Sequence, residues 1–211
     1  MIHFLHRPLR FIVCRCYDDR AAQIVEFAVA LPLMMVFVVG IFDFSSAFTL
    51  RQKLTNIARD TARAVASDPG GDIAAPSNAL PASISDGFQL VDNYLIANHL
   101  SDCGINLSFA GAVMGPGVTQ WTLSASNSPP PCSVTIQINR GYYFPQNSTT
   151  LPSLTCGNSQ AAGPSQITVI ATCVSIQYAY TWRFGSVASL LGSTATLPPM
   201  ITASAVAMNE N

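Results

Sequence analysis

The acidic residue best placed for a functional role is Glu26, which directly precedes a long apolar run. Residues 27–42 contain no charged side chain, and only 10% of the 211 residues are charged. A carboxylate near the core of a membrane costs roughly 2.5–3.5 kcal/mol on insertion scales, so it normally has a partner. We therefore expect Glu26 to pair with a cationic group. The alternative is that it lies at the level of the lipid headgroups and titrates freely.

Four cysteines follow this apolar run, and their even number predicts two disulfide bonds. They are Cys103, Cys132, Cys156 and Cys173. They form no C-x-x-C pair, which argues against a zinc site. In an exported domain they would pair in one of three connectivities, and four free buried thiols are the alternative. Cys14 and Cys16 precede the apolar run and are expected to face the reducing cytosol.

Residue types typical of enzyme active sites are scarce. The three histidines are His3, His6 and His99, and no G-x-S-x-G, H-E-x-x-H or P-loop motif occurs. His99 is expected to be a surface or capping residue. We therefore predict no enzymatic activity, no cofactor and no metal. The net charge of -1 also argues against nucleic-acid binding, which requires an excess of Lys and Arg.

The apolar run forms the centre of a predicted transmembrane helix. At 1.5 Å per residue it spans about 24 Å, slightly less than a bilayer core of about 30 Å, so we place the membrane segment at about residues 24–48. Pro32 removes one backbone donor and predicts a local kink or loosening. Asp43 is expected near the outer boundary, on a solvated face. Basic residues are equally frequent on both sides, so the orientation follows from the cysteines: the N-terminus is cytosolic and the C-terminal domain is exported.

The helix is predicted to continue beyond the membrane. Between residues 49 and 66, apolar side chains recur at a spacing of about 3.6 residues, and no Gly or Pro occurs before Pro69. The predicted organisation is a basic cytosolic leader (1–21), one long helix (22–67), a Pro- and Gly-rich linker (68–83) and an exported, disulfide-stapled α+β head domain (84–211).

The head domain is predicted to contain a short helix followed by strands. Apolar residues recur at helical spacing within 84–100. Period-2 alternation predicts strands at 118–124, 133–139, 166–182 and 200–208, with loops at 125–132 and 141–165. Trp121, Trp182 and the aromatic residues at 142–144 are expected to pack in or beside the sheet, and a recognition patch is the alternative. The predicted fold class is therefore α+β, with a long N-terminal helix, transmembrane in its first half, packed on a small antiparallel sheet.

A set of short motifs surrounds the apolar run. In order, they are Arg20, Val25-Glu26-Phe27-Ala28, Leu31-Pro32, Asp43-Phe44 and Ala58-Arg59-Asp60-Thr61-Ala62-Arg63. Near the other end of the chain, residues 174–180, residues 201–208 and Glu210 follow in the order that fits the same pattern. The N-terminal part resembles the signature of TadE-like proteins, which are minor pseudopilins of the tight-adherence (Flp, type IVc) pilus system. The resemblance implies a pilin-like fold and a role in pilus assembly.

The resemblance also implies processing by a prepilin-type aspartic peptidase, with the cut between Ala21 and Ala22. The family usually has Gly before the cut, where this chain has Ala21, and the sequence leaves open whether the leader is removed. A new ammonium group at Ala22 would lie one helical turn from Glu26, where it could pair within the chain or with the Glu of a neighbouring subunit. The implied partners are the bacterial inner membrane, other pilins and pseudopilins, and the Tad assembly platform.

Two other functional classes fit parts of the sequence. The chain could be a secreted binding or adhesion protein, with residues 27–42 as the core of a signal peptide that is cut after Ala47. It could also be a signal-anchored periplasmic enzyme, although no catalytic motif is visible. The long leader, Glu26 and Pro32 argue against the signal peptide.

Overall fold

The computed structural model describes residues 19–69, 80–105, 112–114, 119–128, 131–145, 156–157, 168–184 and 198–210. The leader residues 1–18, which include Cys14 and Cys16, lie outside the described residues, as does most of the predicted linker. The elements are two helices, α1 (Asp19–Ser67) and α2 (Ala82–Ala97), and five strands: β1 (Ala112–Met114), β2 (Gln120–Asn127), β3 (Cys132–Pro145), β4 (Thr168–Ala179) and β5 (Met200–Met208). The strands form one antiparallel sheet in sequential order. The predicted α+β fold, with a long helix packed on a small antiparallel sheet, is confirmed.

Helix α1 has 49 residues and is therefore about 73 Å long. It continues through Pro32 as one uninterrupted helix. Its second half buries one face against the sheet, because apolar side chains at helical spacing meet the interior there. The fully or nearly fully buried members of this face are Leu54, Ile57, Ala58, Ala62 and Val65. The predicted amphipathic continuation of the helix is confirmed.

Helix α2 packs on α1 through a close contact that requires glycine. A Cβ atom at Gly87 would lie 2.7 Å from Cγ2 of Val65 and 3.0 Å from Cδ1 of Ile138, so the two helices and the sheet meet at this residue. The helix covers Ala82–Ala97 rather than the predicted 84–100. It ends earlier because His99 has a φ of 56°, a left-handed conformation that cannot continue a right-handed helix. His99 is an exposed residue just beyond the helix end, as predicted.

The sheet differs from the predicted strands mainly in β3. This strand runs to Pro145, whereas we expected it to end at residue 139 and a loop to begin at 141. A register shift between Asn139 and Tyr142 lets the pairing with β4 resume beyond it, as in a β-bulge. Gly141 lies within this shift, where a Cβ atom would be 2.6 Å from Oγ1 of Thr119. The short strand β1 was not predicted.

The core lies between the helices and one face of the sheet. Alternate residues of the central strands point into it, including Val134, Ile136 and Ile138 of β3 and Val174 and Ile176 of β4. Trp121 is 4% exposed and belongs to this core. A smaller buried cluster contains Tyr142, Cys156, Ala171 and Cys173. Trp121 and Tyr142 therefore pack in the domain, as predicted, rather than forming a recognition patch.

Candidate functional site at the apolar helix

The first half of α1 exposes apolar side chains on every face. Residues 22–29 are all exposed, and residues 30–39 are exposed or half-buried. The exposed large side chains include Phe27, Leu33, Met35 and Phe37, each more than half accessible. The helix is long and apolar enough to cross a membrane. This one N-terminal apolar helix is a candidate membrane anchor.

Glu26 lies within this exposed segment, close to the beginning of α1. Its side chain is exposed, and within the described residues its carboxylate has no hydrogen-bond or ion-pair partner. Ala21 and Ala22 are both in the first turns of the same helix, and Ala22 is one turn from Glu26. The predicted processing site and the predicted pairing of Glu26 remain predictions.

Asp43, at the other end of the apolar run, is buried, and the prediction of a solvated face was wrong. Only 6% of its surface is accessible. The Tyr180 hydroxyl donates to Oδ1 of Asp43 at 2.9 Å, and the backbone N–H of Phe184 donates to Oδ2 at 2.8 Å. The prediction was wrong because the head domain folds back over this turn of the helix. A segment distant in sequence therefore covers the carboxylate and satisfies it.

The segment that covers Asp43 presents three aromatic residues, Tyr180, Trp182 and Phe184, which we call the aromatic strap. Trp182 and Tyr180 pack edge to face with ring centroids 4.9 Å apart, and Trp182 lies 5.4 Å from the ring of Phe44 on α1. Phe184 packs over Gly40, where a Cβ atom would lie 3.1 Å from its ring. The absence of a side chain at Gly40 thus lets Phe184 approach the helix closely.

These contacts define a helix–head junction, which consists of Gly40, Asp43 and the aromatic strap. Burial, together with the hydrogen bond to Asp43 and the charge of that carboxylate, raises the pKa of Tyr180. Tyr180 therefore keeps its proton and remains a hydrogen-bond donor at neutral pH. Its hydroxyl also lies 3.1 Å from the backbone oxygen of Asp43. The junction holds the head at one position along and around the helix.

The head domain contains two disulfide bonds, and the structure decides their connectivity. Cys103 is bonded to Cys132, and Cys156 is bonded to Cys173. The first joins the segment after α2 to the start of β3. The second ties residue 156 to the middle of β4. The prediction of two disulfides among these four cysteines is supported, and the alternative of four free thiols is not.

A buried arginine, which the sequence analysis did not single out, connects the far end of α1 to the head. Arg140 is 2% exposed. One of its guanidinium nitrogens donates to the backbone oxygen of Asp68 at 2.6 Å, and the other donates to Oγ of Ser83 at 2.7 Å. Its charge faces the C-terminal end of α1, where the helix dipole favours a cation. No local pattern in the sequence identifies this contact.

The arrangement is that of a candidate membrane anchor joined to a folded head domain. Among the residues that the structure describes, no group of three or more His, Cys, Asp or Glu side chains lies close enough together to hold a metal ion. Of the two acids that flank the apolar run, Glu26 is exposed and Asp43 accepts hydrogen bonds from the head domain. The class that fold and site define is an α+β protein with one long, partly exposed apolar helix and a disulfide-bonded head.

Comparison with known protein families confirms the N-terminal resemblance. The family model for TadE-like proteins matches residues 21–63, which cover the exposed half of α1, the α1 side of the helix–head junction and most of the amphipathic half. No curated protein and no solved structure shows significant similarity. The match thus includes Glu26 and Asp43 but none of the head domain, whose strands β4 and β5 we had related to the same family on sequence order alone.

Proposed function

We propose that this protein is a minor pseudopilin that supports the assembly of a Tad/Flp-type pilus from the bacterial inner membrane. The observation that carries this proposal is the exposed apolar half of α1, which lies within the TadE-like segment and contains Glu26, a carboxylate that has no partner among the described residues. The partners would be lipid, other pilins and pseudopilins, and the Tad assembly platform. The role is structural, without catalysis or a cofactor.

A helix that is apolar on every face is stable in lipid or between other apolar helices. The described head domain covers α1 only from Gly40 onward. Residues 22–39 therefore offer about 27 Å of uncovered apolar helix, close to the thickness of a bilayer core of about 30 Å. We place the outer membrane boundary near Asp43, about one turn before the end of the segment predicted from sequence.

This boundary places Glu26 about 25 Å below Asp43, close to the opposite face of the membrane. Ala22 lies one further turn toward that face, where a peptidase acting on the cytosolic side has access to the bond before it. Cleavage there would create an ammonium group that pairs with the Glu26 carboxylate, within the chain or between neighbouring subunits. This pairing would set the axial register of the helix during assembly.

The orientation follows from the head domain. Disulfide bonds persist in oxidising compartments such as the periplasm, and both disulfides follow the apolar helix. We therefore place the head in the periplasm and the leader in the cytosol. A secreted form produced by cleavage before Phe48 would lose Gly40, Asp43 and Phe44, on which the aromatic strap packs, so the helix–head junction favours an anchored protein.

N-terminal sequencing and intact mass of the membrane-extracted protein test the processing step. A mature N-terminus at Ala22 supports the proposal. An N-terminus at Phe48 contradicts it and identifies a secreted protein. An uncut chain in the membrane retains the anchor but refutes the processing step. Replacement of Ala21 with Gly provides a matched control, because it restores the residue that the family usually has before the cut.

The role of Glu26 is tested by Glu26→Ala, with Asp60→Ala as the matched control. Asp60 is an exposed acid on the same helix, outside the apolar segment. We expect Glu26→Ala to insert in the membrane and form both disulfides but to abolish pili counted by electron microscopy, whereas Asp60→Ala remains piliated. Unchanged piliation and unchanged crosslinks to partner subunits in Glu26→Ala would remove its assigned role.

A further inference from the structure

A groove of about 570 Å³ lies between α1 and β5, directly above the helix–head junction. Strand β5 forms one edge of the sheet. The walls are mainly apolar, and among the described lining residues only Arg51 is charged. The main lining residues are Phe44, Phe48, Arg51, Trp182, Met200 and Ile201.

The two ends of the groove differ in chemistry along the helix axis. Phe44 directly follows Asp43, Phe48 is about one turn further from the membrane segment, and Arg51 is about 10 Å beyond Phe44. Phe44 is 49% exposed and Phe48 is 62% exposed, so the described head leaves this wall uncovered. The apolar end of the groove therefore faces the membrane segment, and its cationic end faces away from it.

This polarity matches a phospholipid in the outer leaflet of the inner membrane. The acyl chains of such a lipid point toward the membrane centre, and its phosphate lies farther out. An arginine guanidinium binds phosphate with two parallel hydrogen bonds, and tryptophan is enriched at the depth of the headgroups. Within the described residues, Arg51 has no ion-pair partner, and Trp182 stands at the membrane end of the groove beside Phe44.

We propose that this groove binds one anionic phospholipid, with its glycerol and the first methylenes of an acyl chain along Phe44 and Phe48, just outside the hydrocarbon core, and the phosphate at the Arg51 guanidinium. The site rests on the proposed insertion of α1 in the membrane but not on pilus assembly. A second copy of the chain is a poorer occupant. Two copies in one membrane hold Arg51 at the same depth, so their guanidinium groups would face each other as like charges.

Trp182 is a natural reporter of lipid in the groove. The chain has two tryptophans, and Trp121→Phe leaves Trp182 as the single tryptophan, which can be excited selectively over the tyrosines. The full chain with this change is reconstituted in phosphatidylcholine vesicles that contain an equal mole fraction of brominated phosphatidylglycerol or brominated phosphatidylcholine. We expect the anionic lipid to be enriched at Trp182 by about fivefold, the ratio that corresponds to about 1 kcal/mol per surface cation, and to quench its fluorescence correspondingly more strongly.

The matched variants are Arg51→Gln and Arg59→Gln. Both remove one exposed cation from the same helix, but Arg59 lies two turns farther from the membrane and does not line this groove. Arg51→Gln should bring the ratio of quenching close to one, and Arg59→Gln should leave it unchanged. Native mass spectrometry of the wild-type chain should show one retained phosphatidylglycerol, which Arg51→Gln loses, so the test does not depend on the Trp121→Phe background.

The other outcomes separate this site from the proposed function. If the chain does not float with the vesicles, membrane insertion fails and the lipid site fails with it. If the chain inserts but the two brominated lipids quench equally, the lipid site is refuted while the membrane role stands. If Trp182 is quenched only at low protein-to-lipid ratio and becomes shielded as copies associate, a second copy occupies the groove, and the assignment to lipid is also wrong.

Discussion

The two ends of the apolar run carry acids in opposite environments. Glu26, at the N-terminal end, is exposed and has no partner within the described residues, whereas Asp43, at the other end, is buried and accepts hydrogen bonds from Tyr180 and Phe184. Two acidic residues on one helix thus lie in different environments. Asp43 is satisfied within the chain and holds the head in place. Glu26 has no such contact among the described residues, and this is the observation behind its proposed pairing with a neighbouring subunit.

The largest expected effect that tests this contrast is the loss of Asp43. Asp43→Ala removes two charge-assisted hydrogen bonds and should lower the free energy of unfolding of the head by about 3–4 kcal/mol, measured by urea titration of the full chain in detergent. Glu26→Ala should change it by less than about 0.5 kcal/mol, because no hydrogen bond or ion pair among the described residues is lost. Equal effects of the two substitutions would show that the contrast does not hold.

The second disulfide provides the next test, because it lies in the head and not on the apolar helix. Replacing Cys156 and Cys173 with serine opens a loop with a sequence separation of 17 and should cost about 3 kcal/mol. Membrane insertion, measured by flotation with vesicles, should not change, because the apolar segment of α1 makes no contact with this bond. A loss of insertion would mean that the head and the anchor are not independent.

Two helix glycines sharpen the comparison further. Gly87→Ala places a methyl group against Val65 and Ile138 in the core and should destabilise the head by about 2 kcal/mol. Gly40→Ala meets only the ring of Phe184 at 3.1 Å, and the higher helix propensity of Ala offsets part of that cost. We expect a change of less than about 1 kcal/mol at Gly40, measured as a shift in the urea midpoint. A larger loss of stability for Gly40→Ala than for Gly87→Ala would show that the tighter contact lies at the helix–head junction.

The smallest expected effect concerns a third acid, Asp92 in α2. It is 3% exposed, and its Oδ1 atom has no hydrogen-bond partner among the described residues. Burial and the nearby charge of Asp102 raise its pKa. The folded state therefore binds the proton more tightly than the unfolded state, and stability falls as the pH rises from the ordinary value of 3.8 through the raised pKa.

Asp92→Asn should consequently stabilise the head by about 1 kcal/mol at neutral pH, and the gain should disappear below about pH 3.8. Asp86→Asn is the matched control, because Asp86 is an exposed acid on the same helix. It should leave both the stability and its pH dependence unchanged. Urea titrations of the three proteins at several pH values measure the difference. A gain that persists at low pH would exclude ionisation of Asp92 as its cause.

The features that were predictable from sequence depend on local periodicity. The apolar run and the 3.6-residue spacing beyond it predicted α1, and period-2 alternation located the centres of β2 to β5. The boundaries were less accurate. The third predicted strand ended at residue 139, whereas a register shift between Asn139 and Tyr142 allows β3 to continue to Pro145. A bulge depends on the partner strand, and the partner is not visible in the local pattern.

In the site, the long apolar helix that contains Glu26 and the set of four cysteines followed from residue types and spacing, and the family match covers the same helix. The connectivity of the cysteines, the burial of Asp43 and the contacts of Arg140 did not. Tyr180 and Phe184 meet Asp43 across 137 and 141 residues of sequence, and Arg140 meets Asp68 across 72. Helix and strand periodicity act over a few residues, but such contacts depend on how the head packs on the helix. The sequence therefore predicts a long apolar helix followed by a disulfide-bonded head, and only the tertiary packing shows that Asp43 is buried by the head while Glu26 stays exposed.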